Sequence, residues 1–160
     1  GQFSSRLNLN LREKNGYTYG IHSSFNYFKE AGSFEVSTSV DVENTTNALR
    51  EIYTEINKIK DGITEDELAF SKASLTKRFP ANFETYRQIA SNISSKIINN
   101  LSEDYFEAYI ERVNAISLNE VNKIAIETIQ PSELMTVLEQ INKDEFGATV
   151  VFDFEDVFRE

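Results

Sequence analysis

Arg12 and Tyr19 are the side chains best suited to chemistry in this sequence. They lie seven positions apart, on either side of Asn15-Gly16. A guanidinium and a phenol held near one another can donate hydrogen bonds to a peptide carbonyl, or stabilise an oxyanion supplied by another domain. An ordinary structural reading stands beside that one: Arg12 neutralises a helix C-terminus and Tyr19 packs on a core. His22 is the one histidine of 160 residues, and there is no cysteine. A zinc site takes three or four ligands, usually with more than one His or Cys, so His22 among scattered carboxylates makes a poor one. It reads as a surface or hydrogen-bonding residue. A Ser-His-Asp triad would need the same His22, and no Gly-x-Ser-x-Gly elbow or Gly-rich phosphate loop is present. Glu65, Asp66, Glu67, Glu103 and Asp104 fall at helix starts, where carboxylates favour the dipole, and read as caps. His22, Ser24, Glu35, Ser37, Ser39 and Asp41 share a polar strand face that lines either a wet cavity or bare solvent.

The elements that must position these residues follow from periodicity. Residues 4–13 read as a short helix with Phe3, Leu7 and Leu11 on one stripe, closed by a left-handed stop at Asn15-Gly16. Alternation then begins at once. Tyr17, Tyr19, Ile21, Phe25 and Tyr27 point one way and Thr18, Gly20, His22, Ser24 and Asn26 the other. This parity puts Tyr19 on the apolar face, so it reaches the polar one only if the strand begins irregularly. After a turn at Lys29-Glu30-Ala31-Gly32, Phe34, Val36, Val40 and Val42 alternate with Ser33, Glu35, Ser37, Ser39 and Asp41. The two runs make an antiparallel hairpin, whose edge could accept an extended peptide by strand addition.

A helical period follows. Ala48, Leu49, Ile52, Tyr53, Ile56 and Ile59 form a stripe closed by Asp61-Gly62. Thr64 to Glu67 is a capping box for a helix to about Phe79, interrupted by Pro80. A third helix runs from about Phe83 to Asn100, and Ser102 caps a fourth. Ser117 to Glu120 is a second capping box, for a helix stopped by Pro131. The chain ends in strands at Leu134–Leu138 and Thr149–Phe152. The expected class is α+β, with helices on one face of a largely antiparallel sheet. A single domain is expected over residues 1–160, with helix and hairpin in 1–42, helices in 43–130 and terminal strands in 131–154.

Composition narrows the partners. Acidic residues outnumber basic ones 26 to 16, a net charge of −10, which disfavours nucleic acid and anionic membranes. No apolar run approaches the roughly 20 residues of a membrane span. Lack of cysteine excludes disulfides and thiolate metal sites, but does not choose between bacterial periplasm and cytoplasm.

The order and spacing of several segments carry a family resemblance. Gly1-Gln2-Phe3-Ser4-Ser5-Arg6-Leu7, Leu11-Arg12-Glu13-Lys14-Asn15-Gly16-Tyr17-Thr18-Tyr19-Gly20, Gly32-Ser33-Phe34, Val40-Asp41-Val42 and Thr46-Asn47-Ala48-Leu49 resemble the C-terminal, non-catalytic domain of pitrilysin/insulinase-like zinc metallopeptidases. Gly62 to Leu68, Asp104 to Phe106, Tyr109 to Val113 and Ser117 to Val121 extend the likeness to about Leu138. The resemblance implies a clamshell in which a homologous domain carries zinc on an inverted His-x-x-Glu-His motif. That motif is absent here, so no residue carries over as a metal ligand. No cofactor is expected on this chain, and zinc is expected in the catalytic partner. Arg12 and Tyr19 match the family's substrate-binding arginine and tyrosine, whereas Tyr17 matches an apolar packing position. The family domain opens with a further strand–helix–strand unit before the position of Gly1, which implies N-terminal truncation and an exposed sheet edge available for homodimerisation. The expected function is the inactive half of a zinc endopeptidase. A structural core-type subunit of the same fold, or a peptide-binding module, are the alternatives.

Overall fold

The structure, a computed structural model, describes residues 5–142 and 145–152, the backbone alone from 139 onward. Two compact units divide the chain: Gly1–Tyr27 with Gly32–Asp61 and Ala125–Glu160, and Phe28–Ala31 with Gly62–Ile124.

The first unit begins with α1 (Arg6–Asn8), which passes without a break into a π-helical turn at Leu9–Lys14. The sequence pattern predicts a plain α-helix here. Asparagine chemistry widens it: Asn15 N donates to Asn10 O at 3.0 Å, and Asn15 Nδ2 donates to that same carbonyl at 3.0 Å. Gly16 then takes φ +66°, the left-handed stop that the sequence pattern predicts. Tyr17 N closes the turn on Leu11 O at 2.8 Å. Leu11 is fully buried and Leu7 packs beside it; Phe3, the third member of the expected stripe, lies outside the described residues.

Strand β1 (Ile21–Tyr27) pairs antiparallel with β2 (Gly32–Thr38), Ile21 opposite Thr38 and Phe25 opposite Phe34. The strand therefore starts four residues later than the alternation from Tyr17 suggests. Its inward face is covered only at one end: Ile21 is buried, whereas Phe25 and Tyr27 are exposed. Strand β2 also ends early. Val40 packs against the core, but Val42 begins a 3-10 turn at Val42–Asn44 and faces solvent.

Helix α2 (Thr45–Asn57) supplies the other side of the core. Its Ala48, Ile52 and Ile56 join Leu11, Ile21 and Ile129 in one buried cluster, at about 1.5–3 kcal/mol per large side chain. Tyr53 is buried too, its hydroxyl 2.9 Å from Thr136 Oγ1, which satisfies the polar tip of an otherwise apolar ring. Strand β3 (Thr136–Asn142) pairs antiparallel with β4 (Glu145–Phe152). The antiparallel pairing thus falls into two hairpins among the described residues rather than one continuous sheet.

In the second unit, α3 (Glu65–Arg78) opens on the expected capping box: Thr64 N donates to Glu67 Oε2 at 2.8 Å, and Glu67 N donates to Thr64 Oγ1 at 3.2 Å. Pro80 sits in a 3-10 segment, Phe79–Phe83. Helix α4 (Tyr86–Ile98) starts later than expected, because Thr85 and Gln88 form a capping box of their own. The helix expected after Ser102 is delayed as well, and residues 103–108 form turns before α5 (Tyr109–Ala115). Aromatic packing accounts for this: Phe79 stacks on Tyr109 at 4.2 Å, and Phe83 meets Phe106 edge-on at 5.3 Å. Burial among these rings raises the Tyr109 phenol above its ordinary range.

Helix α6 (Leu118–Thr128) uses the predicted Ser117 box, with Ser117 Oγ donating to Glu120 Oε2 at 2.7 Å and Ser117 N at 2.8 Å. The serine hydroxyl, then the backbone amide, hold Glu120 below the usual carboxylate range. The native state therefore binds this proton less readily than the unfolded chain. The contribution is present above the unfolded carboxylate range and is lost as pH falls through the lowered native value. Ser117→Ala is expected to move the Glu120 titration upward, observable as its carboxyl carbon-13 shift against pH. An unmoved titration would remove the hydroxyl as the cause.

Candidate functional site

The connection between α1 and β1 carries both residues singled out by type. Arg12 is the fourth residue of the π-helical turn. Its side chain is 37% exposed, and its Nε lies 3.5 Å from Glu13 Oε1. Tyr19 falls in the irregular stretch before β1 and is fully exposed. The core-packing reading of Tyr19 thus fails, and the late start of the strand frees the ring from the apolar face.

Tyr19 borders an open groove of about 360 Å³, walled by Thr18, Gly20, His22, Ser37, Thr38 and Ser39. Of the polar set expected along this face, His22, Ser37 and Ser39 line the groove, whereas Ser24, Glu35 and Asp41 do not. Glu35 accepts instead from Asn26 Nδ2 at 3.3 Å. Arg12 is not among the lining residues. Thr18, Ser37, Thr38 and Ser39 bring hydroxyls to its wall, those of Thr18 and Thr38 being engaged with each other and with Gly20. A second cleft of about 440 Å³ lies over α2, between Phe34–Thr38 and Leu134–Leu138, and is mainly apolar.

Three asparagines hold the connection, and local sequence patterns do not reveal them. Asn8 Nδ2 donates to Ile21 O at 3.0 Å while its Oδ1 accepts from Ile21 N at 3.3 Å. The carboxamide thus stands in for a neighbouring strand at the first residue of β1. Asn10 Nδ2 donates to Glu51 Oε2 and Glu55 Oε1, both at 2.7 Å. Its Oδ1 accepts from Asn15 Nδ2 at 2.5 Å. Glu55, itself buried, also receives Lys58 Nζ at 2.7 Å, so the carboxylate taken from water has two donors. The only sequence signal was an excess of asparagine, a weak helix former, inside a helical stripe.

The described residues contain no group of three or more His, Cys, Asp or Glu able to hold a metal ion. His22 is exposed on the strand. Among the described residues, His22 and the carboxylates therefore do not make a donor set for zinc.

Comparison with known proteins shows what these elements are similar to. Residues 1–75 match the family described as the peptidase M16 inactive domain. An uncharacterised zinc protease of Mycobacterium tuberculosis is 25% identical over 126 residues, covering 78% of this chain and 29% of that protein. One from Rickettsia felis is 31% identical over 75 residues, 47% of this chain and 18% of the relative. The chain thus spans less than a third of the length of these relatives. The crystal structure of a peptidase M16 inactive domain from Pseudomonas fluorescens superposes with a TM-score of 0.73 at 23% identity, over 82% of this chain and 31% of that one. A conserved protein from Enterococcus faecalis gives a TM-score of 0.65 at 27% identity, over 79% and 29%.

Proposed function

We propose, from the likeness of this chain to the peptidase M16 inactive domain and to bacterial zinc proteases, that it forms the non-catalytic half of a zinc endopeptidase. In this reading another domain holds the zinc. This chain supplies a polar wall of the substrate chamber, and Arg12 and Tyr19 hydrogen-bond the backbone of a bound peptide. The observation that carries the reading is the placement of Tyr19. A large aromatic ring with no burial sits beside a hydroxyl-lined groove, on a connection that buried asparagines hold at both ends. A phenol kept out of the core at this point is free for a ligand. Arg12 contributes a charged donor from the wide turn that precedes it; π-helical turns recur at functional sites.

The test uses the full-length protein. Arg12→Ala is expected to lower kcat/KM for peptide hydrolysis about 10- to 100-fold, the scale of a lost hydrogen bond to a charged group. Zinc content and thermal midpoint should stay at wild-type values. Unchanged kinetics would remove Arg12 from substrate binding. A wild-type protein that binds no zinc and cuts no peptide would favour the structural-subunit alternative.

A further inference from the structure

The segment bearing Tyr19 is tied off by two threonine hydroxyls. Thr18 Oγ1 donates to Gly20 O at 2.9 Å and accepts from Gly20 N at 3.1 Å. This closes a small ring of backbone with Tyr19 at its apex. Thr38, opposite Ile21 on β2, reaches across. Its Oγ1 lies 2.8 Å from Thr18 Oγ1, to which it donates, and 3.0 Å from Gly20 O. The Thr18 hydroxyl thereby uses its one donor and both acceptor positions, the whole capacity of the group. Downstream, the Asn8 carboxamide pins Ile21 on both its N–H and its carbonyl. Upstream, Tyr17 N is held by Leu11 O. The ring of Tyr19 has no packing of its own, so these anchors set the backbone from which its phenol projects.

We infer that Thr38 is a positioning residue: through Thr18 it holds the Tyr19 turn in its binding geometry before the peptide arrives. The inference rests on the reading of Tyr19 as a substrate-binding residue, and it adds a dependence of that residue on a hydroxyl from the neighbouring strand. A turn fixed in advance spares binding the ordering of a mobile loop. Serine at position 38 preserves the hydroxyl, whereas valine preserves only the shape.

The full-length protein tests this by a double-mutant cycle. Thr38→Val is expected to lower kcat/KM about fivefold, the weight of one hydrogen bond, and to speed amide exchange over residues 17–21. Thr38→Ser should restore both. On a Tyr19→Phe background, Thr38→Val should lower kcat/KM by less than twofold, because the group it positions is already gone. Equal losses on both backgrounds would mean that Thr38 acts on substrate directly or on the fold at large, and would overturn the inference while leaving Tyr19 in place. A Tyr19→Phe enzyme with wild-type kinetics would instead overturn the underlying reading. Should Thr38→Val not fold, Thr18→Ala cuts the same link from its other end, and the same cycle decides.

Discussion

Tyr19→Phe in the full-length protein is expected to lower kcat/KM for peptide hydrolysis by about 10²–10³, the loss seen when one preorganised donor to a reacting carbonyl is removed. The substitution deletes a single oxygen. Since the ring is fully exposed, no packing goes with it, and stability should stay within about 0.5 kcal/mol of wild type, as for other surface changes. Zinc content should not move, because the described residues hold no metal-binding group. Steady-state kinetics, metal analysis and a denaturation curve on one preparation separate these effects. Retained activity would remove the phenol from the mechanism. Lost activity with lost stability would contradict the exposure on which the assignment rests.

The second large effect lies eight residues upstream and has the opposite character. Leu11 is fully buried against Ile21, Ala48, Ile52, Ile56 and Ile129. Leu11→Ala is expected to cost about 3–5 kcal/mol of unfolding free energy, combining lost transfer with the cavity left behind. Leu9, two positions away and 49% exposed, should cost far less when cut to alanine, within about 0.5 kcal/mol. Urea denaturation of the two variants checks the contrast. Equal losses would mean that the wide turn does not face the core as described. Because Leu11 adjoins Arg12, the pair also serves as a control for kinetic changes that come from loosening the turn alone.

Much of the architecture was legible because it obeys simple periods. The antiparallel pairing of the hairpin, the α2 stripe and the capping boxes at Thr64 and Ser117 follow local spacing, although β1 starts later and β2 ends earlier than the alternation suggests. Errors arose where side chains override the local period. A stripe of Leu7 and Leu11 fits an ordinary helix; the π-helical turn depends on Asn15 folding back onto Asn10. Tyr17 and Tyr19 continue an alternation that the backbone does not follow, because Thr18 and Gly20 close on each other first. Turns replace the first helical turns expected after Ser102, where Phe106 packs against Phe83. Arg12 and Tyr19 could be named from residue type and family likeness. The groups that hold their connection could not, since the partners of Asn10 are Glu51 and Glu55, some 40 positions away.

The tip of this connection and its foundation are energetically separate. Tyr19 stands clear of the interior, while asparagine carboxamides, two threonine hydroxyls and Leu11 hold the backbone beneath it. If Tyr19 binds substrate as proposed, variation at position 19 would retune which ligands are gripped without endangering the fold, at almost no thermodynamic risk.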